Sequence, residues 1–153
     1  MTPSRSGQRP PLLSAVQAEI INCNQCPRLR DYCTEVARVK RAAYRQDVYW
    51  AKPVPGFGDP DAQVLILGLA PAAHGANRTG RVFTGDGAGG SGDFLFSALK
   101  RAGFANRATS QRADDGLQMT DAYVAAAVRC APPANKPLPE EIEDAQRWID
   151  RVL

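Results

Sequence analysis

At 153 residues, 44% hydrophobic and 23% charged, the chain has the makeup of one globular domain able to bury a core. No apolar run approaches the ~20 residues a membrane-crossing helix needs, so no membrane partner is expected and the cytoplasm is the expected compartment. The net charge of +3 is uneven. Residues 1–52 hold nine Lys/Arg against four Asp/Glu and residues 53–153 ten against twelve, a bias compatible with a polyanionic partner but also with a solvated basic face.

Residues 1–11 have no long apolar core and no clear cleavage site, and read as a disordered tail rather than a signal peptide, leaving 12–153 as the domain. From Leu12 the pattern is helical, with Ser14 and Gln17 in capping-box spacing and Val16, Ile20 and Ile21 on one stripe. A break near Asn22 precedes a second helix, with Pro27 in its first turn and an apolar face from Leu29 to about Ala43. Its other face carries Arg28, Arg30, Arg38, Lys40 and Arg41, read mainly as solvated. The proline-rich, aromatic stretch 45–62 is an ordered loop packing over the sheet.

Val64 to Leu69 reads as a buried strand that empties into a Gly-rich loop holding His74, Arg78, Arg81, Phe83 and Asp86. In an open α/β sheet such an exit, with free backbone N–H groups and basic side chains, suits an anionic ligand. The loop ends where a helix should begin, at Ser91 to Asp93; Phe94–Gly103 follows as an amphipathic helix with Phe94, Leu95, Leu99 and Ala102 inward, then a polar surface loop over 106–116. Tyr123–Cys130 is a second buried strand, and Pro139-Glu140-Glu141 opens the last helix. If the two strands are parallel, their exit loops share an edge, bringing His74, Phe83 and Asp86 near Asn135 and Lys136, and Cys130 near the Cys23-x-x-Cys26 turn. CxxC with a distant third Cys is a metal, iron–sulfur or redox pattern, whereas Cys33, on a helical face, reads first as a small core residue.

The runs GLAPAAHGANRTGRVFTGD, CxxCPRL, KPVPGFGDP and TDAYVAAAVRCAPPANKP, followed by the PEE helix, together resemble the type-5 uracil-DNA glycosylases over about residues 18–150. The resemblance implies a three-layer α/β/α fold with a central parallel sheet. It also implies an enzyme that flips uracil or other deaminated bases out of DNA and hydrolyses the N-glycosidic bond, acting as a monomer on damaged DNA. Asp86 and Asn135 are the implied catalytic residues. Gly68, Ala70, Ala73, His74 and Phe83 are the implied base-binding set, with Arg78 and Arg81 as phosphate contacts. A 4Fe-4S cluster is implied on Cys23, Cys26 and Cys130. Ala145 stands where the family has its fourth Cys, and Cys33 is offered as a compensating ligand. Where other branches carry polar base-reading residues this chain has Leu69-Ala70 and, near the second strand, Ala126, so loose base selectivity is expected. The family continues with further strands and a His-containing loop. Without them the chain is expected to be a C-terminally incomplete domain with an exposed sheet edge and weak turnover, or an inactive iron–sulfur or DNA-binding remnant.

Overall fold

The computed structural model describes residues 10–153. The tail expected over 1–11 therefore lies largely outside the described residues, and its last two positions instead open the first helix, α1 (Pro10–Ile21). Ser14 sits inside α1 and caps nothing, while Val16 and Ile20 are buried as expected. Helix α2 (Pro27–Val39) starts on Pro27 but ends before Ala43, because Lys40 takes a left-handed φ of 60°.

Three strands form the sheet in the order β1-β3-β2: β1 (Phe57–Gly58), β2 (Val64–Gly68) and β3 (Ala122–Ala126). β2 runs parallel to the central β3, with Val64 opposite Ala122 and Gly68 opposite Ala126. β1 runs antiparallel on its other side. The sheet is thus mixed rather than purely parallel, and part of the stretch expected as a loop is a strand. Gly58 permits that pairing: its φ is 138°, and a Cβ there would collide with the Ala122 carbonyl. Helical assignment aside, β3 is shorter than the expected Tyr123–Cys130, but the chain stays on β2 a little longer, with Ala127 and Val128 amides donating to the Gly68 and Leu69 carbonyls at 2.8 and 2.9 Å.

All five β3 residues are buried, and their alternation puts helices on both faces. Ala122, Val124 and Ala126 join Val54, Val82, Phe96 and Leu99 on one side. Tyr123 points the other way, its hydroxyl accepting from Gln17 of α1 at 2.9 Å. A second cluster joins α1, α2 and α5 (Pro139–Val152) through Val16, Ile20, Leu29, Cys33, Ala145 and Trp148. This is an α/β/α arrangement with β2 at an open edge: the strand expected to be buried has no fully buried residue, and Val64 and Leu67 are 40% and 47% exposed because only β3 pairs with it. No described helix is long and apolar enough to cross a membrane.

Helix α4 (Ser91–Arg101) begins at Ser91, where the loop was expected to give way to a helix. Phe96 is fully buried, whereas Phe94 and Ala102, both expected inward, are exposed, because the core takes the face of Gly92, Phe96 and Leu99. Gly103 ends the helix with φ 88° as expected.

Candidate functional site

A cavity of about 330 Å³ opens beyond the C-terminal ends of β2 and β3, where open α/β sheets place ligands. Leu69, Ala70, Pro71 and Ala126 form an apolar wall, Phe83 lies across it, and Asp86 and Asn135 supply polar groups. The backbone explains the arrangement. A Cβ on Gly68 would stand 2.8 Å from Cζ of Phe83, so only glycine at the end of β2 lets the ring lie there. Phe83 itself has φ 50°, a conformation that costs a bulky residue on the order of 1–2 kcal/mol and is kept here by the surrounding loop. Side chains at Gly75 or Gly90 would run into Asp86, and one at Gly92 into the Phe83 carbonyl. These glycines are therefore the packing surface of the two residues between them.

Asp86 has no ion-pair partner among the described residues. Desolvation by the packed loop pushes its carboxyl above the ordinary Asp range, against the lowering effects of the Gly92 amide and the Arg78 charge. Its side chain still reaches solvent at the cavity mouth. Asn135 ends a short 3-10 turn over Pro133–Asn135 and has φ 57°, which Asn tolerates better than most residues. It is exposed and faces the same cavity.

The structure thus brings Gly68, Ala70, Phe83, Asp86 and Asn135 to one cavity, but not Ala73 or His74. The His74 ring is turned to Tyr49, whose hydroxyl is 2.7 Å from Nδ1. Burial, together with Arg41 and Arg78, pushes its imidazole below the ordinary value.

The two arginines expected on phosphates have internal partners instead. Arg78 pairs with Asp47 at 2.7 Å, donates to the carbonyls of His74 and Gly85, and stacks 3.8 Å above the Tyr44 ring. Arg81 is 5% exposed and is held by both Asp115 oxygens at 2.9 Å, by Ser110 and Thr84 hydroxyls and by the Ala113 carbonyl. Burial alone would raise the Asp115 carboxyl, but the Leu117 and Gln111 amides and Arg81 hold it below the ordinary range. The loop over 106–116, expected to be merely polar surface, is therefore the strap that fixes the Gly-rich segment. Sequence reading missed this because Arg81 and Asp115 are 34 residues apart and carry no local signal.

A second, tighter cavity of about 30 Å³ lies between the Cys23–Cys26 turn, the exit of β3 and α5. Cys23, Cys26 and Cys130 line it together, and so does Ala145. Cys33 does not: α2 turns it into the core, fully buried, with Sγ 3.5 Å from the Ala131 carbonyl and its thiol in contact with that of Cys130. The proposed compensating ligand is thus off the cavity. Burial raises the Cys26 thiol to about 11, with the Asp144 carboxylate the next cause. Three arginines, which the spacing of the cysteines did not reveal, also line this cavity. Arg147 donates to Cys23 Sγ at 3.2 Å and Arg30 lies 3.7 Å from Cys130 Sγ. Arg129 is 3% exposed, and none of its three guanidinium nitrogens has an acceptor among the described residues. No three Cys, His, Asp or Glu side chains among the described residues converge closely enough for a single metal ion.

Residues 55–153 match the family model described as the uracil DNA glycosylase superfamily. Among curated proteins the chain is similar to the type-5 uracil-DNA glycosylase of Thermus thermophilus, 53% identical over 86% of this chain and 58% of that one. It is also similar to the type-5 enzyme of Mycobacterium leprae, 51% identical over 88% of this chain and 58% of that one. The Pyrobaculum aerophilum type-5 enzyme is 45% identical, with 88% of this chain and 57% of that one covered. The chain therefore spans somewhat more than half the length of these relatives.

Proposed function

The chain belongs to the uracil-DNA glycosylase superfamily, and from that premise we propose that it takes part in DNA base excision, hydrolysing the N-glycosidic bond of uracil and of further deaminated bases. The observation that carries this reading is the meeting of Phe83 and Asp86 on one cavity with room for a single nucleobase. An extruded base stacks on the Phe83 ring. As the glycosidic bond lengthens, positive charge grows on the sugar and negative charge on the departing base. Asp86, lacking a cation of its own, offsets the first and orients water toward the sugar carbon. Asn135, on the facing loop, helps hold that water or the sugar. Backbone N–H groups of the 68–74 segment donate to the base oxygens and stabilise the negative charge that grows there. The side chains of Leu69, Ala70 and Ala126 offer no hydrogen bond to a Watson–Crick edge, which supports excision of hypoxanthine as well as uracil.

The thiol cavity fits an anionic group held by thiolates. Its cysteines do not close on one ion, and the unpartnered Arg129 guanidinium, with Arg30 and Arg147, supplies buried positive charge. Cys23, Cys26 and Cys130 would hold a 4Fe-4S cluster, which supplies a cross-link between the first loop and the exit of β3.

The reading is tested by single-turnover excision, with the chain in excess over duplexes containing uracil, hypoxanthine or only normal bases. Slow cleavage of both damaged duplexes is expected, with a loss of about 100-fold or more in Asp86→Asn. Cleavage of none of them, with no fluorescence change from a base analogue placed beside the lesion, overturns it; cleavage of uracil alone overturns the wider base range.

A further inference from the structure

Three thiols leave a cubane one protein ligand short, and the fourth position of the cavity wall, Ala145, has no donor atom. Helix α5 presents Glu141, Asp144, Ala145 and Trp148 to this cavity, the i, i+3, i+4, i+7 pattern of one helix face. Of the two carboxylates on that face, Glu141 is committed. It takes Arg28 at 2.7 Å and the Leu138 amide at 2.8 Å. Asp144 has no ion-pair partner among the described residues; Arg147, on the same cavity wall, donates to Cys23. Asp144 stands at the exposed rim of the cavity, beside the buried Ala145.

On the reading that this cavity holds an iron–sulfur cluster, we infer that the Asp144 carboxylate is its fourth protein ligand, in place of the thiol that Ala145 cannot supply. Carboxylate oxygen is a competent ligand for iron, and Asp144 reaches the cavity from a helix already fixed by the Arg28–Glu141 pair. The ligand set is then three thiolates and one carboxylate, the same formal charge as four thiolates. The buried Arg129 guanidinium faces that charge from the β3 side of the same cavity. Cys33 stays outside the set.

The test is anaerobic reconstitution of the full chain with ferrous iron and sulfide, followed by iron and acid-labile sulfide analysis and EPR. Wild type is expected to hold iron and sulfide in a ratio of about 1, with about four of each per chain. Asp144→Ala is expected to fall to a ratio of about three to four, with the EPR signature of a three-iron cluster. Asp144→Cys, which returns a fourth ligand, is expected to keep the wild-type ratio, and Cys33→Ala to leave it unchanged. Far-ultraviolet circular dichroism of each variant checks that helix content is kept. Equal ratios in wild type and Asp144→Ala overturn the assignment while leaving the cluster in place, as does a drop confined to Cys33→Ala. A wild-type chain that takes up no iron and sulfide overturns both, through the cluster reading itself.

Discussion

Around the larger cavity the lone lining carboxylate, Asp86, has no cation within ion-pair distance among the described residues. Around the thiol cavity the deeply buried guanidinium of Arg129 has no acceptor. Elsewhere the fold neutralises what it buries: Arg81 lies on Asp115 and Glu141 on Arg28. A buried charge without a partner is costly to keep. The two cavities hold unpaired charges of opposite sign, and each sign matches what the proposed reading brings there: a cationic sugar for Asp86, an anionic thiolate-held cluster for Arg129. The Arg81–Asp115 and Arg28–Glu141 pairs join distant segments, whereas the unpaired charges of the two cavities are the ones the proposed function uses.

The largest effect that would sharpen this contrast is on the paired side. Asp115→Ala leaves Arg81 buried and uncompensated, and breaking such a pair costs about 3–5 kcal/mol. The expected outcome in calorimetry is a fall in Tm of roughly 10 °C. Asp115 is held below its ordinary range in the fold, so its stabilisation is present above the unfolded carboxylate pKa and disappears as pH falls through the lower, folded value. The Tm difference between wild type and Asp115→Ala should therefore shrink in acid. A change in DNA affinity with Tm untouched would return Arg81 to the phosphate-contact role the sequence suggested.

Next comes Phe83→Ala. Base stacking on an aromatic ring is worth about 1–3 kcal/mol, so single-turnover excision at subsaturating chain should drop by roughly tenfold or more. Because Phe83 is only half-buried, its truncation should cost less stability than that of a fully buried core phenylalanine. An unchanged rate with a large loss of Tm would make the ring a core residue and the cavity a packing defect.

How far these sites could be read from sequence depends on whether the signal is local. The Val64–Gly68 strand, the glycine loop and the Pro139 helix start follow from short-range pattern, and the observed boundaries lie close to the expected ones. Phe94 is misplaced because Phe94 and Phe96 carry equal apolar signals on nearly opposite sides of the helix, and the core takes the face of Gly92, Phe96 and Leu99. β1 was hidden because two residues flanked by prolines have no periodicity; the strand exists only because β3 offers it a partner. The Arg81–Asp115 pair, Arg129 and Asp144 are invisible for the same reason: each acquires its meaning from a segment far away in the chain. The cysteines were legible because their spacing is itself the chemical signal, and Cys33 was misjudged as a ligand where the helical pattern had already placed it in the core.

The smallest effect bears on Asp86 as an unpaired charge. Its carboxyl is raised in the fold, chiefly by desolvation, so the folded state disfavours the ionised form. The sign is opposite to that of Asp115. Ionisation of Asp86 weakens the fold as pH rises through the carboxylate range, and the penalty is present in full above the raised value. Because the side chain reaches solvent, the penalty is small. Asp86→Asn should therefore raise Tm at neutral pH, by no more than about 4 °C, and the gain should vanish in acid where wild-type Asp86 is protonated. Excision moves the other way: the wild-type single-turnover rate should fall on acidification at a pH above that of an ordinary Asp, while the residual Asp86→Asn rate stays flat through the same range. A variant that is both less stable and still pH-dependent would mean that Asp86 is paired after all, and would remove the difference between it and Asp115.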